Sequence, residues 1–346
     1  MNILYGVAGE GFGHSSRAMV VANYLEKRGH KVLIMTYGQG YEVLKNKFKV
    51  FRVSGLRLIF ERSVLKKRKT FFYNLTSFPK NVLLWRGFKD IIENFKPDLC
   101  ISDFEPIVPI ISNWFDLPLL SIDNQHRITN LDFHVPERYK KDFIISKMVV
   151  GRIISDADNY IISSFGDSKI KKAFRNKTFV VPPIVRDDVI KLKPFYGDKI
   201  LVYLTKKDSH VLRILGRIKE KFVLYGYNKN FRKGNIEFKT KESFLKDLQG
   251  CKAIIASSGF SLMSEALYLK KPYLALPLKG QFEQVLNSLF LKESGFGDYS
   301  EKLKENEVKE FLENFESFCK NLKSYHPSQK MLLGVLDRIL KGVKKR

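Results

Sequence analysis

A strand–turn–helix unit that occurs twice in succession, over residues 253–287, most constrains how this chain can fold. The apolar run 253–256 is short, rich in β-branched residues and followed by the turn 257–259, so it predicts a buried parallel strand. A helix capped by Ser261 is expected next, and the strand 273–276 then leads into a second helix. Two strand-to-helix turns therefore lie side by side at the carboxyl edge of a parallel sheet, where open α/β folds bind their ligands.

The residue types in these two turns suit a nucleotide-linked sugar. The small residues of the first turn leave backbone N–H groups free at a helix N-terminus, which favours a phosphate group. Glu265 lies one turn into that helix and is expected to bind a ribose diol, while Glu283 and Gln284 of the second helix can hydrogen-bond sugar hydroxyls. The alternative interpretation is an ordinary βαβα unit whose polar residues are on the surface.

The N-terminal residues predict a second arrangement of the same class. Strands over 2–7 and 31–36 flank a glycine-rich loop and a helix from about Ser15 to Arg28, which is a Rossmann-like βαβ unit. The glycines follow the pattern G-x-G-x-G-H instead of the dinucleotide fingerprint G-x-G-x-x-G, and no acidic residue ends the second strand. The pattern therefore disfavours a dehydrogenase.

His14 is the candidate general base, because it ends the glycine-rich loop at a helix N-terminus. The positive end of the helix favours the neutral imidazole that a base requires, although a histidine that only caps the helix would occupy the same position. Asp103 ends a later strand and can orient and charge-balance His14. Asp123, Asn124 and His126 follow the next strand and are expected either to line the acceptor side or to cap strand ends.

Charge and composition limit the partners and the compartment. The 346 residues include 61 basic and 36 acidic side chains, a net charge of +25, which favours an anionic partner. Nucleic acid is disfavoured because no zinc-finger spacing, helix-turn-helix or RNA-binding signature is present. The three cysteines lack metal-ligand spacing, no apolar run approaches about 18 residues, and the first strand starts at Asn2. These features predict a cytoplasmic protein with neither a transmembrane span nor a leader peptide.

Residues 61–96 predict a contact with the inner face of a membrane. This stretch combines the basic run 66–69 with nearby aromatic residues. A surface of that composition can rest on anionic lipid headgroups, because the basic groups meet the phosphates and the aromatic rings enter the interface. The alternative is a solvated charge run followed by a core helix.

Three stretches of the sequence give it a family likeness. They are Gly9-Glu10-Gly11-x-Gly13-His14, Ile101-Ser102-Asp103-Phe104-Glu105-Pro106 and Ser121-Ile122-Asp123-Asn124-Gln125-His126. Through them the chain resembles GT-B fold glycosyltransferases of the family 28 and family 1 group, and most closely an uncharacterised, mainly archaeal branch. The likeness extends over nearly the whole chain.

The resemblance implies an α/β fold with two Rossmann-like domains that face a cleft, each with a parallel sheet and helices on both faces. It implies an acceptor-side domain over 1–182, a linker over 183–198 and a domain that binds the nucleotide sugar over 199–325. The final helix, within 326–346, is expected to pack back on the first domain.

The resemblance also assigns roles to individual residues. His14 matches the candidate base of the family, and Asp103 the aspartate that supports that base. Glu265 is expected to bind the ribose of the donor nucleotide. The remaining implied residues are Gly259, Phe260 and Ser261 at the diphosphate, Glu283 and Gln284 at the donor sugar, and Glu10, Gly11 and Gly13 on the acceptor side. The Gly-Gly-Ser loop of the family is replaced by residues 205–208, from which Thr205 is expected to approach the diphosphate.

The predicted activity is an inverting, metal-independent transfer of a sugar from a nucleoside diphosphate, expected to be UDP, to a hydroxyl of a lipid or lipid-linked acceptor. His14 takes the acceptor proton, helix amides and lysines stabilise the leaving diphosphate, and no cofactor is required. Inversion is favoured because retaining GT-B enzymes have two glutamates separated by seven residues, whereas Tyr273 stands eight positions after Glu265. The alternatives are a UDP-sugar 2-epimerase of the same fold and a non-catalytic basic protein that binds membranes or nucleic acid.

Overall fold

The structure is a computed structural model that describes residues 1–53, 60–61, 64–65, 89, 92–166 and 168–343. Most of the stretch 61–96, for which the sequence predicts a membrane contact, lies outside the described residues. The chain divides into two compact units, each with its own sheet. The first unit consists of Met1–Ile184 with Ser328–Arg346, and the second of Val185–Pro327.

Within the described residues, the first unit is built on a parallel sheet of seven strands. In chain order the strands of this unit are β1 (Asn2–Val7), β2 (Lys31–Thr36), β3 (Lys49–Arg52), β4 (Phe60–Glu61), β5 (Val64–Leu65), β6 (Leu99–Asp103), β7 (Leu119–Asp123), β8 (Leu131–Asp132), β9 (Asn159–Ser163), β10 (Lys169–Ile170) and β11 (Thr178–Val181). The sheet has the order β11-β9-β7-β6-β1-β2-β3, while β4 pairs with β5 and β8 with β10 in short antiparallel ribbons. Strands β1, β6 and β7 are almost wholly buried, as largely apolar central strands of a parallel sheet are.

Helices cover both faces of this sheet. They are Phe12–Lys27, Gly38–Leu44, Ile107–Trp114, Arg127–Asn130, Lys140–Ile153 and Gln329–Gly342, with short 3₁₀ helices at Glu137–Tyr139 and Lys172–Phe174. Ile3 and Tyr5 belong to one apolar cluster and Leu4 to another, because successive strand residues point to opposite faces. The last helix packs its apolar side, Leu332, Leu336 and Ile339, into the cluster that contains Ile3.

Within its described residues, the second unit is built on a seven-stranded sheet in which only the edge strand β14 is antiparallel. Its strands are β12 (Lys199–Tyr203), β13 (Lys221–Tyr225), β14 (Phe231–Lys233), β15 (Ile236–Phe238), β16 (Ile254–Ser257), β17 (Tyr273–Leu276) and β18 (Gly297–Tyr299). Their order in the sheet is β14-β15-β13-β12-β16-β17-β18. The helices are Asp187–Ile190, Ser209–Leu215, Phe244–Gly250, Phe260–Tyr268, Phe282–Glu293, Glu305–Glu313 and Phe315–Ser324, with a 3₁₀ helix at Lys241–Ser243.

The stretch 183–198, which the sequence predicts to be a linker, is partly ordered within the second unit. It contains the short helix Asp187–Ile190, and Val185 and Val189 are buried. The side chain of Arg186 is fixed by an ion pair to Glu265. The second unit therefore begins before β12, because these apolar residues and this ion pair attach the segment to it.

Candidate active site

The loop that carries the candidate base follows β1. Helix Phe12–Lys27 begins three residues before the predicted start at Ser15, so His14 lies in the first helical turn instead of the loop. Gly11 precedes the helix with a φ of 81°, in the left-handed region that favours glycine. A Cβ on Gly9 would lie 2.0 Å from the carbonyl oxygen of Tyr37, so the loop can pass β2 this closely only with glycine. Glu10 and Gly11 are both exposed at this turn.

His14, Asp103 and Arg17 form one hydrogen-bonded group. The Nδ1 of His14 lies 2.6 Å from Oδ1 of Asp103. Arg17 donates from Nε to Oδ2 of Asp103 at 2.7 Å and from its terminal nitrogen to Oδ1 at 2.6 Å. Asp103 is fully buried and Arg17 is 6% exposed, while 16% of the His14 side chain is exposed. The histidine is therefore the member of the group that can meet a substrate.

The sheet explains why these residues meet. Strands β1 and β6 are neighbours, and Val7 pairs in register with Asp103, so the carboxylate ends its strand directly beside the loop that leads to His14. The Ala8 N–H donates to the Asp103 carbonyl at 3.0 Å and extends this pairing into the loop. The next residue, Phe104, has a φ of 54°, an uncommon value for a residue with a side chain. The chain therefore turns sharply immediately after Asp103.

Arg17 is the residue of this group that the sequence patterns do not reveal. It stands one helical turn after His14, so both side chains share one side of the helix. Burial works against its charge, but the Asp103 carboxylate outweighs burial, and the pKa of Arg17 is raised above its ordinary value. The spacing His14-x-x-Arg17 puts the two side chains on one side of a helix but does not by itself indicate a contact with Asp103.

Asp123, Asn124 and His126, predicted on the acceptor side, are all buried, at 0%, 4% and 2% exposure. Asp123 ends β7, and its Oδ2 lies 2.6 Å from Nδ1 of His126 while its Oδ1 accepts from the His126 backbone N–H at 2.9 Å. Burial opposes ionisation, but the neighbouring His126 and a hydrogen bond from Ser121 lower the pKa of Asp123 to about 2. Asn124 Oδ1 accepts from Arg17 at 3.4 Å. These side chains therefore brace the strand end beneath the surface.

Glu105 is a buried carboxyl group next to this site. Its two oxygens accept the backbone N–H groups of Ile107 and Val108, each at 2.9 Å, at the start of helix Ile107–Trp114. Burial raises the pKa of Glu105 to about 7, although these two hydrogen bonds work in the opposite direction. A Cβ on Gly6 would lie 2.6 Å from Oε2 of Glu105, so β1 is packed tightly against this carboxyl.

Glu105 is expected to make the folded protein less stable as the pH rises from 5 to 8. The pKa of Glu105 is higher in the folded state than in the unfolded state, so between these two values the folded protein holds a proton on Glu105 that the unfolded chain has lost. The stabilisation that this proton gives the folded state is lost as the pH rises through about 7. Urea unfolding measures the free energy of unfolding at pH 5 and at pH 8. The fall in this free energy between the two pH values should be smaller for Glu105→Gln than for wild type, by roughly 2–3 kcal/mol. An equal fall in the free energy of unfolding for the two proteins would contradict the raised pKa of Glu105.

Glu265, the predicted ribose-binding residue, is bound by a residue that the sequence analysis did not single out. Arg186 donates from Nε to Oε1 at 2.7 Å and from a terminal nitrogen to Oε2 at 3.1 Å. The Glu265 side chain is 11% exposed and the Arg186 side chain 38%. Burial raises the pKa of Glu265, and Arg186 works against that rise. Glu265 therefore has an oriented carboxylate that remains partly accessible.

The turn after β16 differs in one respect from the predicted one. Helix Phe260–Tyr268 begins at Phe260 after Gly259, so Ser261 lies inside the first turn and does not cap it. Its N-cap residue is Gly259, which has no side chain to form a capping hydrogen bond. Ser258 anchors the turn, since its Oγ lies 2.8 Å from Oγ of Ser288 and its carbonyl accepts from Asn287 at 2.8 Å. The turn is thus held in place from the side of the second helix.

The remaining predicted donor residues lie on one further loop and on the second helix. Glu283 and Gln284 are in the first turn of helix Phe282–Glu293 and are half-buried. Gln284 accepts from the Leu278 N–H at 3.1 Å and donates to Gln281 at 2.7 Å, so its amide fixes the preceding loop. Thr205 is exposed after β12.

Among the described residues, no group of three His, Cys, Asp or Glu side chains is arranged to hold a metal ion. In the same part of the chain, every helix is too short or too polar to cross a bilayer.

Comparisons with known proteins agree with this architecture. An uncharacterised glycosyltransferase of Methanosarcina acetivorans is 24% identical over 332 residues, covering 86% of this chain and 85% of the relative. One from Methanosarcina mazei is 23% identical over 337 residues, with the same coverage. The solved structure of the glycotransferase of kitacinnamycin matches with a TM-score of 0.69 at 10% identity, covering 99% of both chains. Phytolacca americana UGT2, solved with UDP-2fluoro-glucose and pterostilbene, matches with a TM-score of 0.66 at 12% identity, covering 98% of this chain and 99% of that one.

The family assignment rests on a sequence model described as "Glycosyl transferase family 1", which matches residues 1–316. That range is most of the chain and includes both sheets. The solved structures add the fold, which is that of GT-B glycosyltransferases. The chain therefore belongs to glycosyl transferase family 1 and is a glycosyltransferase of the GT-B type.

Proposed function

We propose that this protein is an inverting transferase that moves a sugar from a nucleoside diphosphate, UDP in our proposal, to a hydroxyl group. The observation that carries the proposal is the contact of 2.6 Å between Nδ1 of His14 and the buried Asp103. A carboxylate that holds one ring nitrogen leaves the other nitrogen available as a general base. Within the described residues, Nε2 of His14 makes no hydrogen bond.

In the proposed reaction, the acceptor hydroxyl attacks the anomeric carbon as its proton moves to Nε2 of His14. The bond from the anomeric carbon to the diphosphate breaks, and the electron pair leaves with the nucleoside diphosphate. The imidazolium is stabilised by Asp103, as in other histidine–carboxylate pairs. One direct displacement inverts the configuration at the anomeric carbon. The exposed Glu10 and Gly11, with Gly13, are proposed to border the acceptor.

The donor is proposed to bind to the second unit through the two turns after β16 and β17. Glu265 accepts hydrogen bonds from the ribose diol, because its oriented carboxylate has two acceptor oxygens. Gly259, Phe260 and Ser261 border the diphosphate, and the helix N-terminus that follows Gly259 offers it a positive potential. Thr205, in the loop after β12, is proposed to approach the same phosphates.

Glu283 and Gln284 are proposed to face the donor sugar from the start of the second helix. The helix potential also supports the proposal that the leaving diphosphate needs no metal ion. Activity that survives exhaustive treatment with EDTA would be the expected result. A requirement for added Mg²⁺ or Mn²⁺ would remove this part of the proposal.

The proposal is tested first by donor identity and acceptor dependence. Thermal-shift measurements against a panel of nucleotide sugars should identify one donor that raises the melting temperature, because a ligand that binds only the folded state stabilises it. That donor is then incubated with the protein alone. A stable donor supports the transferase, whereas conversion to a second sugar nucleotide supports a 2-epimerase of the same fold.

A lipid or lipid-linked acceptor is the further part of the proposal, and helix Lys140–Ile153 supports it. Val150 is the buried residue of this helix, while Ile144, Met148 and Val149 are 54%, 51% and 44% exposed. The helix also has exposed basic side chains, at Lys140, Lys141, Lys147 and Arg152. Apolar and basic groups on the same exposed side suit the interface of an anionic bilayer.

The protein is expected to sediment with anionic phosphatidylglycerol vesicles and to be released by high salt. The double variant Ile144→Asp with Met148→Asp should bind about tenfold or more weakly, since burying the exposed half of each of these two side chains is worth roughly 1.5–3 kcal/mol in total. Met331→Asp is the matched control, because Met331 is 52% exposed on another helix of the same unit. Equal binding by the double variant and the control would contradict this membrane contact.

A further inference from the structure

We propose that Arg17 is a positioning residue for the base: it fixes the Asp103 carboxylate and thereby the proton-bearing nitrogen of His14. The inference rests on the proposed function, because it assigns how that base is held. Neither the glycine-rich loop nor the strand that ends at Asp103 indicates a role for Arg17.

The first argument is the geometry of the carboxylate. Arg17 donates from Nε to one oxygen of Asp103 at 2.7 Å and from a terminal nitrogen to the other at 2.6 Å. Two parallel bonds from a planar guanidinium fix both the position and the plane of a carboxylate. The oxygen that His14 meets at 2.6 Å, Oδ1, is therefore held in place by Arg17.

The second argument concerns the tautomer of His14. Nδ1 of His14 faces two groups: the terminal nitrogen of Arg17 at 3.2 Å, a donor that would need the electron pair of Nδ1, and Oδ1 of Asp103 at 2.6 Å, which is the shorter contact. Oδ1 of Asp103 already accepts from Arg17 and can accept from Nδ1 as well. Its contact of 2.6 Å with Nδ1 is therefore a hydrogen bond only when Nδ1 carries the proton. Nε2 is then the nitrogen with the free electron pair, which the proposed reaction requires.

The third argument is burial. Asp103 is fully buried and Arg17 is 6% exposed, so this carboxylate would be a buried, uncompensated charge without its arginine. Arg17 also contacts Oδ1 of Asn124 through its remaining nitrogen at 3.4 Å. The guanidinium thus connects the ends of β6 and β7 with the helix that carries His14.

The test compares Arg17→Lys, Arg17→Gln and the control Arg28→Gln, a half-exposed arginine at the other end of the same helix. Lysine keeps the charge but cannot form the two-pronged contact, so Arg17→Lys should fold and lose about 10- to 100-fold in kcat with an unchanged KM for the donor. Arg17→Gln should lose more, and Arg28→Gln should match wild type. If Arg17→Gln does not fold, Arg17→Lys alone decides.

A second readout does not depend on activity. Nitrogen-15 NMR of histidine-labelled protein should show His14 with its proton on Nδ1 in wild type and in Arg28→Gln, and a mixture of both tautomers in Arg17→Lys. Wild-type kcat in Arg17→Lys, or an unchanged tautomer in that variant, would overturn the assignment. If no sugar donor is turned over by wild type, the proposed function fails while the NMR comparison still decides the role of Arg17.

Discussion

Replacing His14 with alanine is expected to lower kcat by about 10²- to 10⁴-fold, the contribution typical of a general base. The donor dissociation constant should change little, because the proposed donor residues all belong to the other unit of the chain. Turnover would be measured as nucleoside diphosphate released with the donor selected by thermal shift, and affinity by calorimetry with the corresponding nucleoside diphosphate. A large fall in kcat with unchanged affinity separates the chemical step from binding.

His134→Ala is the matched control for this experiment. His134 is an exposed histidine of the same unit, and it lies outside the hydrogen-bonded group of His14. The control should retain wild-type turnover. If His14→Ala also retains it, the base is another residue, and the contact of His14 with Asp103 is structural only.

Replacing Glu265 with alanine is expected to weaken binding of the nucleoside diphosphate by about 10- to 100-fold, since hydrogen bonds to a charged group are worth roughly 1.5–3 kcal/mol. The reason is the loss of both ribose contacts, and kcat at saturating donor should fall much less. Calorimetry should show the same loss for the sugar-free nucleotide, because the ribose is present in both ligands. Loss of affinity confined to the nucleotide sugar would place Glu265 at the sugar.

The ion pair between Glu265 and Arg186 requires its own control, because Glu265→Ala also removes the partner of Arg186 in this pair. In Arg186→Ala, Glu265 remains but is no longer held at 2.7 and 3.1 Å. This variant should bind the nucleotide more tightly than Glu265→Ala does. Equal affinities would mean that the ion pair, and not the carboxylate itself, supports the donor site.

Much of the fold could be predicted, because local patterns determine it. The strands 2–7 and 31–36 are present with the predicted bounds in β1 and β2, while the glycine-rich loop between them ends earlier than predicted because its helix begins at Phe12. The strand–turn–helix units around β16 and β17 are also present. The α/β fold class and the likeness to GT-B glycosyltransferases are confirmed.

Two helix starts were predicted wrongly for a common reason. The sequence predicts a loop up to His14 with the first helix from about Ser15, and a cap at Ser261 for the helix after β16. The structure instead starts both helices directly after a glycine, Gly11 and Gly259. Gly11 has a φ of 81°, a left-handed value that favours glycine, whereas Gly259 has an extended φ of −67°; neither N-cap residue has a side chain that could cap its helix.

The two arginines of the candidate site could not be found from local patterns. Arg17 meets Asp103 across 86 positions, and Arg186 meets Glu265 across 79. Only the parallel order of the strands brings such residues together, and no periodicity in the sequence specifies the pairing. For the same reason the burial of Asp123 and His126 was not anticipated, since it follows from packing around the end of β7.

The central claim is that a base in the first unit drives transfer from a nucleotide sugar to a hydroxyl acceptor. Its most direct test is the rate of nucleoside diphosphate release by wild type and by His14→Ala, with and without acceptor, using a donor that both proteins bind. The account predicts acceptor-dependent release by wild type and almost none by the variant. Equal release by the two proteins, or release that is independent of acceptor, would contradict it.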